Sequence, residues 1–91
     1  MSVTIRIPTQ LRPLTGGEGE IAVEAGTVRE ALAALEKVHP GIAERLLDEQ
    51  GELRRFVNLF LADEDVRFLE GLETSVRDGQ TLSVVPAVAG G

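Results

Sequence analysis

A single helical pattern lies between two groups of strand-like segments, and this arrangement limits the fold more than any other feature of the chain. Apolar residues recur on one helical stripe after Thr27, at Val28, Ala31, Leu32, Leu35 and Val38. Thr27 and Glu30 have the spacing of a capping box, and Pro40-Gly41 ends the pattern. Because one helix covers only one face of a sheet, we expect one helical layer packed on one mixed sheet.

The segments on either side of this helix predict the strands of that sheet. Residues 3–7 and 20–24 alternate between apolar and polar, which predicts a hairpin with a long, glycine-rich loop. Residues 42–47 predict a second, short helix. Residues 56–61, 66–68 and 81–85 predict further strands, with Pro86 ending the last one. A right-handed crossover would place the last strand parallel to the first, at the centre of the sheet.

Composition excludes several functional classes. The 91 residues fit a single domain, and they include no cysteine and one histidine, so disulfides, thiolate metal sites and a cysteine nucleophile are ruled out. The net charge of −6 disfavours nucleic acid and anionic membranes as partners. The chain has no apolar run long enough to span a bilayer and no signal-like N-terminus, so we expect a cytoplasmic protein.

Three segments invite a chemical interpretation, and a simpler one is available for each. The glycines at 16, 17 and 19 lack the Gly-Lys-Ser/Thr sequence of a phosphate loop and precede a strand, so they predict a hairpin turn. His39 follows the helix, where an imidazolium would interact with the helix dipole. Residues 63–65 are acidic but lack the spaced ligands of a calcium loop, which favours a solvated turn.

The C-terminal segment is less easily explained by structure alone. Residues 87–91 follow Pro86 and end in Gly90-Gly91, so we expect a domain over residues 1–86 and a flexible tail over 87–91. A frayed terminus is the simple alternative, but disordered tails are usually polar and this one is apolar. Residues without a Cβ can pass through a channel too narrow for side chains. We therefore predict that Val88, Ala89, Gly90 and Gly91 thread into a partner.

A second candidate site lies on the strand predicted over residues 56–61. Val57, Leu59 and Leu61 would face the helix, which leaves Phe56, Asn58 and Phe60 on the uncovered face. Val85 on the last strand should join them. An exposed apolar patch is typical of a partner surface, although Phe60 could instead fold over the sheet edge and be buried. From the net negative charge, we expect the partner to present a basic rim.

The motifs taken together resemble a known family. Arg55-Phe56-Val57-Asn58, the segment 63–68, the Asp78-Gly79 turn and the ending from Gln80 to Gly91 are similar to ubiquitin and to the ThiS/MoaD sulfur carriers. The likeness extends over the whole chain and is strongest to the branch that supplies sulfur for cysteine. It implies an α+β, ubiquitin-like β-grasp fold with four to five strands, one main helix and a Gly-Gly tail.

The resemblance also implies a chemistry. An E1-like adenylyltransferase would use ATP to adenylate the Gly91 carboxylate, and a sulfur source would convert it to a thiocarboxylate. A PLP-dependent cysteine synthase would accept the sulfur, and a zinc metalloprotease would release the product. The carrier would be a substrate protein with no catalytic residue and no bound cofactor or metal.

Other roles stay open. The sulfur could serve molybdopterin, a thiosugar or another natural product. The chain could also be a protein modifier, although Ala87 and Ala89 stand where ubiquitin-type tails carry arginines. A third possibility is a non-covalent subunit whose tail plugs a partner's active site.

Overall fold

The computed structural model describes residues 2–55 and 57–86. These contain the strands β1 (Ser2–Arg6), β2 (Glu20–Glu24), β3 (Val57–Leu61), β4 (Glu64–Asp65) and β5 (Thr81–Pro86). They also contain the helices α1 (Val28–Val38) and α2 (Ala43–Leu46) and three 3-10 segments, at Thr9–Thr15, Val66–Phe68 and Gly71–Glu73.

The strands form one mixed sheet in the order β2-β1-β5-β3-β4. The pairing of β1 with β5 is parallel, and the other three pairings are antiparallel. The predicted crossover is therefore confirmed, with β5 central and parallel to β1. The sheet and α1 make the two-layer β-grasp architecture that the resemblance implied.

Helix α1 packs on the sheet through the predicted stripe, with one exception. The stripe residues Val28, Ala31, Leu32 and Leu35 are buried, whereas Val38 is 56 % exposed. The prediction that Val38 joins the core was wrong. The next fully buried side chains along the chain are Ile42 and Leu46, so the core continues through α2 and not through the last turn of α1.

The start of α1 is capped much as predicted. Thr27 Oγ1 accepts a 3.2 Å hydrogen bond from the N–H of Glu30. Glu30 Oε1 in turn accepts a 2.7 Å bond from the N–H of Gly26, one residue before the usual capping-box partner. Two N–H groups at the helix start are thereby satisfied.

The segment after β3 departs from the predicted strand at 66–68. A two-residue turn at Ala62 and Asp63, both with positive φ (51° and 70°), brings Glu64–Asp65 back against β3 as strand β4. Asp65 then caps the following segment, because its Oδ1 accepts a 2.9 Å bond from the N–H of Arg67. Val66–Phe68 is consequently a 3-10 turn.

Two other boundaries differ from expectation. The loop between β1 and β2 contains the 3-10 segment Thr9–Thr15, which ends at Gly16 in the left-handed conformation (φ 66°). Pro86 does not stop β5 but is its last residue, paired with Val57. A proline is tolerated at a strand end because the only donor it removes lies at the limit of the ladder.

Candidate functional site

The candidate site lies where β5 reaches the end of the sheet. Gly91 and the other tail residues, Val88, Ala89 and Gly90, fall outside the described residues, as does the whole predicted tail 87–91. Their roles stay predictions. The structure does place the root of the tail, at Pro86 on the central strand beside the start of β3.

Strand alternation divides β5 between the core and the opposite face. Leu82 and Val84 are buried, at 0 % and 4 % exposure, whereas Val85 is 41 % exposed. Val85 therefore lies on the face that α1 leaves uncovered, as predicted.

Strand β3 adds two of the other predicted docking residues to this face. Val57, Leu59 and Leu61 are buried and alternate with Asn58 and Phe60, which are half-buried. Asn58 is directly opposite Val85, and Phe60 is opposite Ser83, so Phe60 is a diagonal neighbour of Val85. The structure thus brings Asn58, Phe60 and Val85 together, whereas Phe56 lies outside the described residues.

Arg67 completes this part of the surface and was missed by the sequence analysis. Its Nη1 donates a 2.7 Å hydrogen bond to Asn58 Oδ1, and its Nη2 donates a 2.7 Å bond to the carbonyl of Arg54. Two bonds hold the guanidinium beside the Asn58–Val85 pair. No local pattern could have indicated this contact, because it joins a 3-10 turn to a strand nine residues earlier.

A shallow groove runs along the other side of Val85. Seven residues line it: Arg6, Ile7, Pro8, Arg12, Ser83, Val84 and Val85. Arg12 Nε donates a 3.2 Å bond to the carbonyl of Ile7. A Cβ on Gly19 would lie 3.1 Å from Arg12 Cζ, so the missing side chain of Gly19 leaves room for this guanidinium.

The other segments considered for chemistry have structural roles. Gly16 and Gly17, with φ of 66° and 91°, form the turn between the 3-10 segment Thr9–Thr15 and β2. His39 is the C-cap residue of α1. Across residues 2–55 and 57–86, no three His, Cys, Asp or Glu side chains cluster in a way that could hold a metal ion. In that same part of the chain, each helix is too short or too polar to cross a membrane.

The arrangement is suited to binding a protein, with an apolar centre at Val85 and Phe60 and polar groups around it. Known protein sequences resemble this chain over most or all of its length. The ThiS family model matches residues 5–91. The sulfur carrier protein CysO of Mycobacterium tuberculosis is 47 % identical over 93 residues, which cover 100 % of both chains. Small archaeal modifier protein 3 of Haloferax volcanii is 42 % identical over 65 residues, covering 71 % of this chain and 70 % of the relative.

Solved structures extend the comparison to three dimensions. The chain superposes on a chain of the BexX/CysO complex of Amycolatopsis orientalis with a TM-score of 0.92 and 50 % identity. That match covers 98 % of this chain and 99 % of the other. The crystal structure of Mycobacterium tuberculosis CysO gives a TM-score of 0.90 at 45 % identity, covering 94 % and 99 % of the two chains.

Proposed function

This chain belongs to the ThiS family, and we propose that it is a sulfur carrier whose Gly91 bears the sulfur as a thiocarboxylate. One observation carries the proposal. The similarity to proteins named sulfur carriers extends over the full length of both chains, at 47 % identity. The carrier is then a substrate of other enzymes, not a catalyst.

The chemistry of the proposal needs two steps at one carbon. A Gly91 carboxylate oxygen attacks the α-phosphorus of ATP, and pyrophosphate leaves. Sulfide then attacks the carbonyl carbon of the acyl-adenylate, a C–S bond forms, and the C–O bond to AMP breaks. The first step is required because a carboxylate is a poor electrophile at neutral pH, whereas AMP is a good leaving group.

The carrier contributes recognition to these steps. Val85, Phe60 and Asn58 are proposed to dock on an E1-like adenylyltransferase, together with Phe56, which is two residues before Asn58 in sequence. Residues 88–91 would thread into the active site of that enzyme. The Amycolatopsis CysO structure contains BexX as a partner, which supports protein docking as the mode of action of such carriers. ATP and the sulfur source belong to the activating enzyme. We propose a cytoplasmic location because the first step consumes ATP.

For the sulfur acceptor we propose a PLP-dependent cysteine synthase, followed by a zinc metalloprotease that frees cysteine from the carrier. These partners rest on the resemblance to the cysteine-supplying branch of the family. Transfer to molybdopterin or to a thiosugar is the alternative within the same chemistry.

A second candidate function is conjugation to other proteins. It is favoured by the similarity to Haloferax small archaeal modifier protein 3. In that role Gly91 would form an isopeptide bond with a lysine of a target protein instead of accepting sulfur.

Intact-mass analysis of the protein purified from its own host separates these functions. A sulfur carrier gives a species in which one Gly91 oxygen is replaced by sulfur. A modifier gives branched peptides in which Gly91 is joined to a lysine side chain. A variant with one alanine added after Gly91, in a host that cannot remove it, is the control. It should stay folded and remain unloaded, because near-attack geometry tolerates little displacement of the carboxylate. Thiocarboxylate on the extended protein would contradict the proposal.

A further inference from the structure

The charge around the root of the tail is opposite in sign to the charge of the whole chain. The protein carries nine basic and fifteen acidic residues. Three arginines nevertheless flank Val85, namely Arg6 and Arg12 in the groove on one side and Arg67 on the other. We call these three residues the arginine frame.

The strand register fixes this arrangement. Arg6 on β1 is opposite Ser83 on β5, two residues before Val85 and on the same face. Arg67 reaches Asn58, which is opposite Val85 on β3. The frame therefore spans the central strand from both of its neighbours.

The guanidinium groups of the frame are not neutralised by strong ion pairs within the described part of the domain, so their charge is available to a partner. Arg12 and Arg67 hydrogen-bond to the neutral acceptors described above and form no ion pair with a carboxylate of residues 2–55 or 57–86. Arg6 has one acidic neighbour, Glu20, at 3.6 Å, and both side chains are more than 60 % exposed. An exposed pair of this kind is weak and readily exchanged.

Acidic residues concentrate toward the opposite end of the same strands. Asp63 and Glu64 follow β3, and Asp78 precedes β5, where its Oδ1 accepts a 2.8 Å bond from the N–H of Ser2. Asp65 belongs to the same acidic segment but lies nearer the frame, because its Oδ1 accepts the bond from the N–H of Arg67. The domain thus has an acidic end and, around the tail, a basic one. The charges are therefore distributed asymmetrically and not spread evenly over the surface.

We propose that the arginine frame binds carboxylates on the rim of the activating enzyme, around the channel that receives the tail. This inference rests on the proposed function. Guanidinium groups match carboxylates through paired, charge-assisted hydrogen bonds. Because Arg12 and Arg67 are already held by hydrogen bonds, they lose less conformational entropy on docking than free side chains would.

The reach of the tail distinguishes this partner from the nucleotide. Five residues follow Pro86 in the sequence and span at most about 17 Å when extended. Threading through a narrow channel would keep the tail extended, so with Gly91 at the adenylate the frame would lie at the mouth of the channel, where we expect it to meet protein and not phosphate. This proposal differs from the basic rim expected from the net charge, because it predicts an acidic rim around the channel.

The inference is tested with Arg12→Glu and Arg67→Glu in ATP–pyrophosphate exchange by the purified E1-like enzyme of the same organism. Arg77→Glu is the matched control, because it makes the same charge change on an exposed side chain beside Asp78. Each frame variant should raise the KM for the carrier about tenfold at low salt, and the control less than about twofold. High salt should reduce the difference in KM between the frame variants and the Arg77→Glu control, because it screens the charges.

Four outcomes decide the matter. The pattern above supports the inference, and Arg12→Gln and Arg67→Gln should then raise the KM in the same direction by about threefold, with unchanged thermal unfolding confirming their fold. Equal KM values for the frame and control variants overturn the inference alone. A higher KM for ATP, with that for the carrier unchanged, assigns the arginines to the nucleotide and also overturns it. Wild-type protein that supports no exchange overturns the proposed function and this inference with it.

Discussion

Asn58 lies directly opposite Val85 in the β3–β5 pairing, and the same residue accepts the hydrogen bond of Arg67. One amide therefore links the apolar centre of the proposed docking surface to the arginine frame. Its Oδ1 orients the Arg67 guanidinium, while its position in the ladder keeps that guanidinium close to Val85.

This link predicts the effect of Asn58→Ala. The substitution removes the acceptor of Arg67 Nη1 and should cost about 1 kcal/mol of partner affinity, roughly a fivefold weaker Kd. Titration calorimetry with the activating enzyme measures the loss. In an Arg67→Gln background, Asn58→Ala should have a smaller effect, because both changes remove the same interaction. If the affinity losses of Asn58→Ala and Arg67→Gln add fully in the double variant, Asn58 does not act on binding through Arg67.

The division of the sheet into two faces predicts opposite phenotypes for two truncations. Phe60→Ala should weaken binding to the activating enzyme about tenfold with a small effect on folding, since Phe60 is half-buried on the docking face. Leu82→Ala should remove roughly 2–5 kcal/mol of unfolding free energy, since Leu82 is fully buried. Thermal unfolding and binding measured on both variants check this. A strongly destabilised Phe60→Ala with normal binding would place Phe60 in the core.

The turn between β3 and β4 stores strain that a substitution can relieve. Ala62 has a φ of 51°, a conformation that asparagine adopts more readily than alanine. Ala62→Asn should stabilise the fold by about 0.5–1 kcal/mol and raise the Tm by about 2–8 °C. Ala33→Asn, at an exposed position of α1, should lower the Tm instead, because asparagine is a poorer helix former. Calorimetric scans of the two variants make the comparison.

Glu36 predicts a pH dependence of stability. Its carboxylate accepts bonds of 2.8 and 2.9 Å from the N–H groups of Gly41 and Ala43, which lower its pKa from the ordinary value of 4.5. The pKa of Glu36 is lower in the folded protein than in the unfolded chain. The contribution of its carboxylate to the free energy of unfolding is therefore fully present above about pH 4.5, and it is lost as the pH falls through the folded pKa.

Glu36→Gln should therefore lower the Tm at neutral pH, and its difference from the wild-type protein should shrink in acid. The exposed Glu49 provides Glu49→Gln as a control for the loss of one charge. If the Tm of Glu36→Gln is lower than that of the wild-type protein by the same amount at every pH, the charge of the carboxylate is not the cause of the difference.

The fold was largely predictable because its main elements have clear periodicity. The stripe of α1 and the alternation in β1, β2 and β3 fixed the faces, and the handedness of the crossover fixed the place of β5. Strand β4 was misplaced because two residues are too short for a period to show. Its position depends on the left-handed turn at Ala62 and Asp63, where neither residue is a glycine that would signal such a turn.

The site was predictable only where it followed from strand alternation. Asn58, Phe60 and Val85 share a face by that rule. The arginine frame could not be found in the same way, because its members come from β1, a 3-10 loop and a 3-10 turn. Their convergence depends on contacts between different elements, from Arg12 to Ile7 and from Arg67 to Asn58. The net charge of the chain gave no indication of the frame, because it sums over the whole sequence and not over one end of the domain.

The central position of β5 has a mechanical consequence if, as we propose, a partner binds the C-terminal tail. A pull on the C-terminus acts along the strand axis, and β5 is bonded to β1 on one side and to β3 on the other. The load is shared as shear by both ladders at once, whereas an edge strand pulled in the same direction would have only one ladder to carry it. If a partner draws the tail into a narrow channel, as we propose, the domain can carry that load through two ladders and keep its shape.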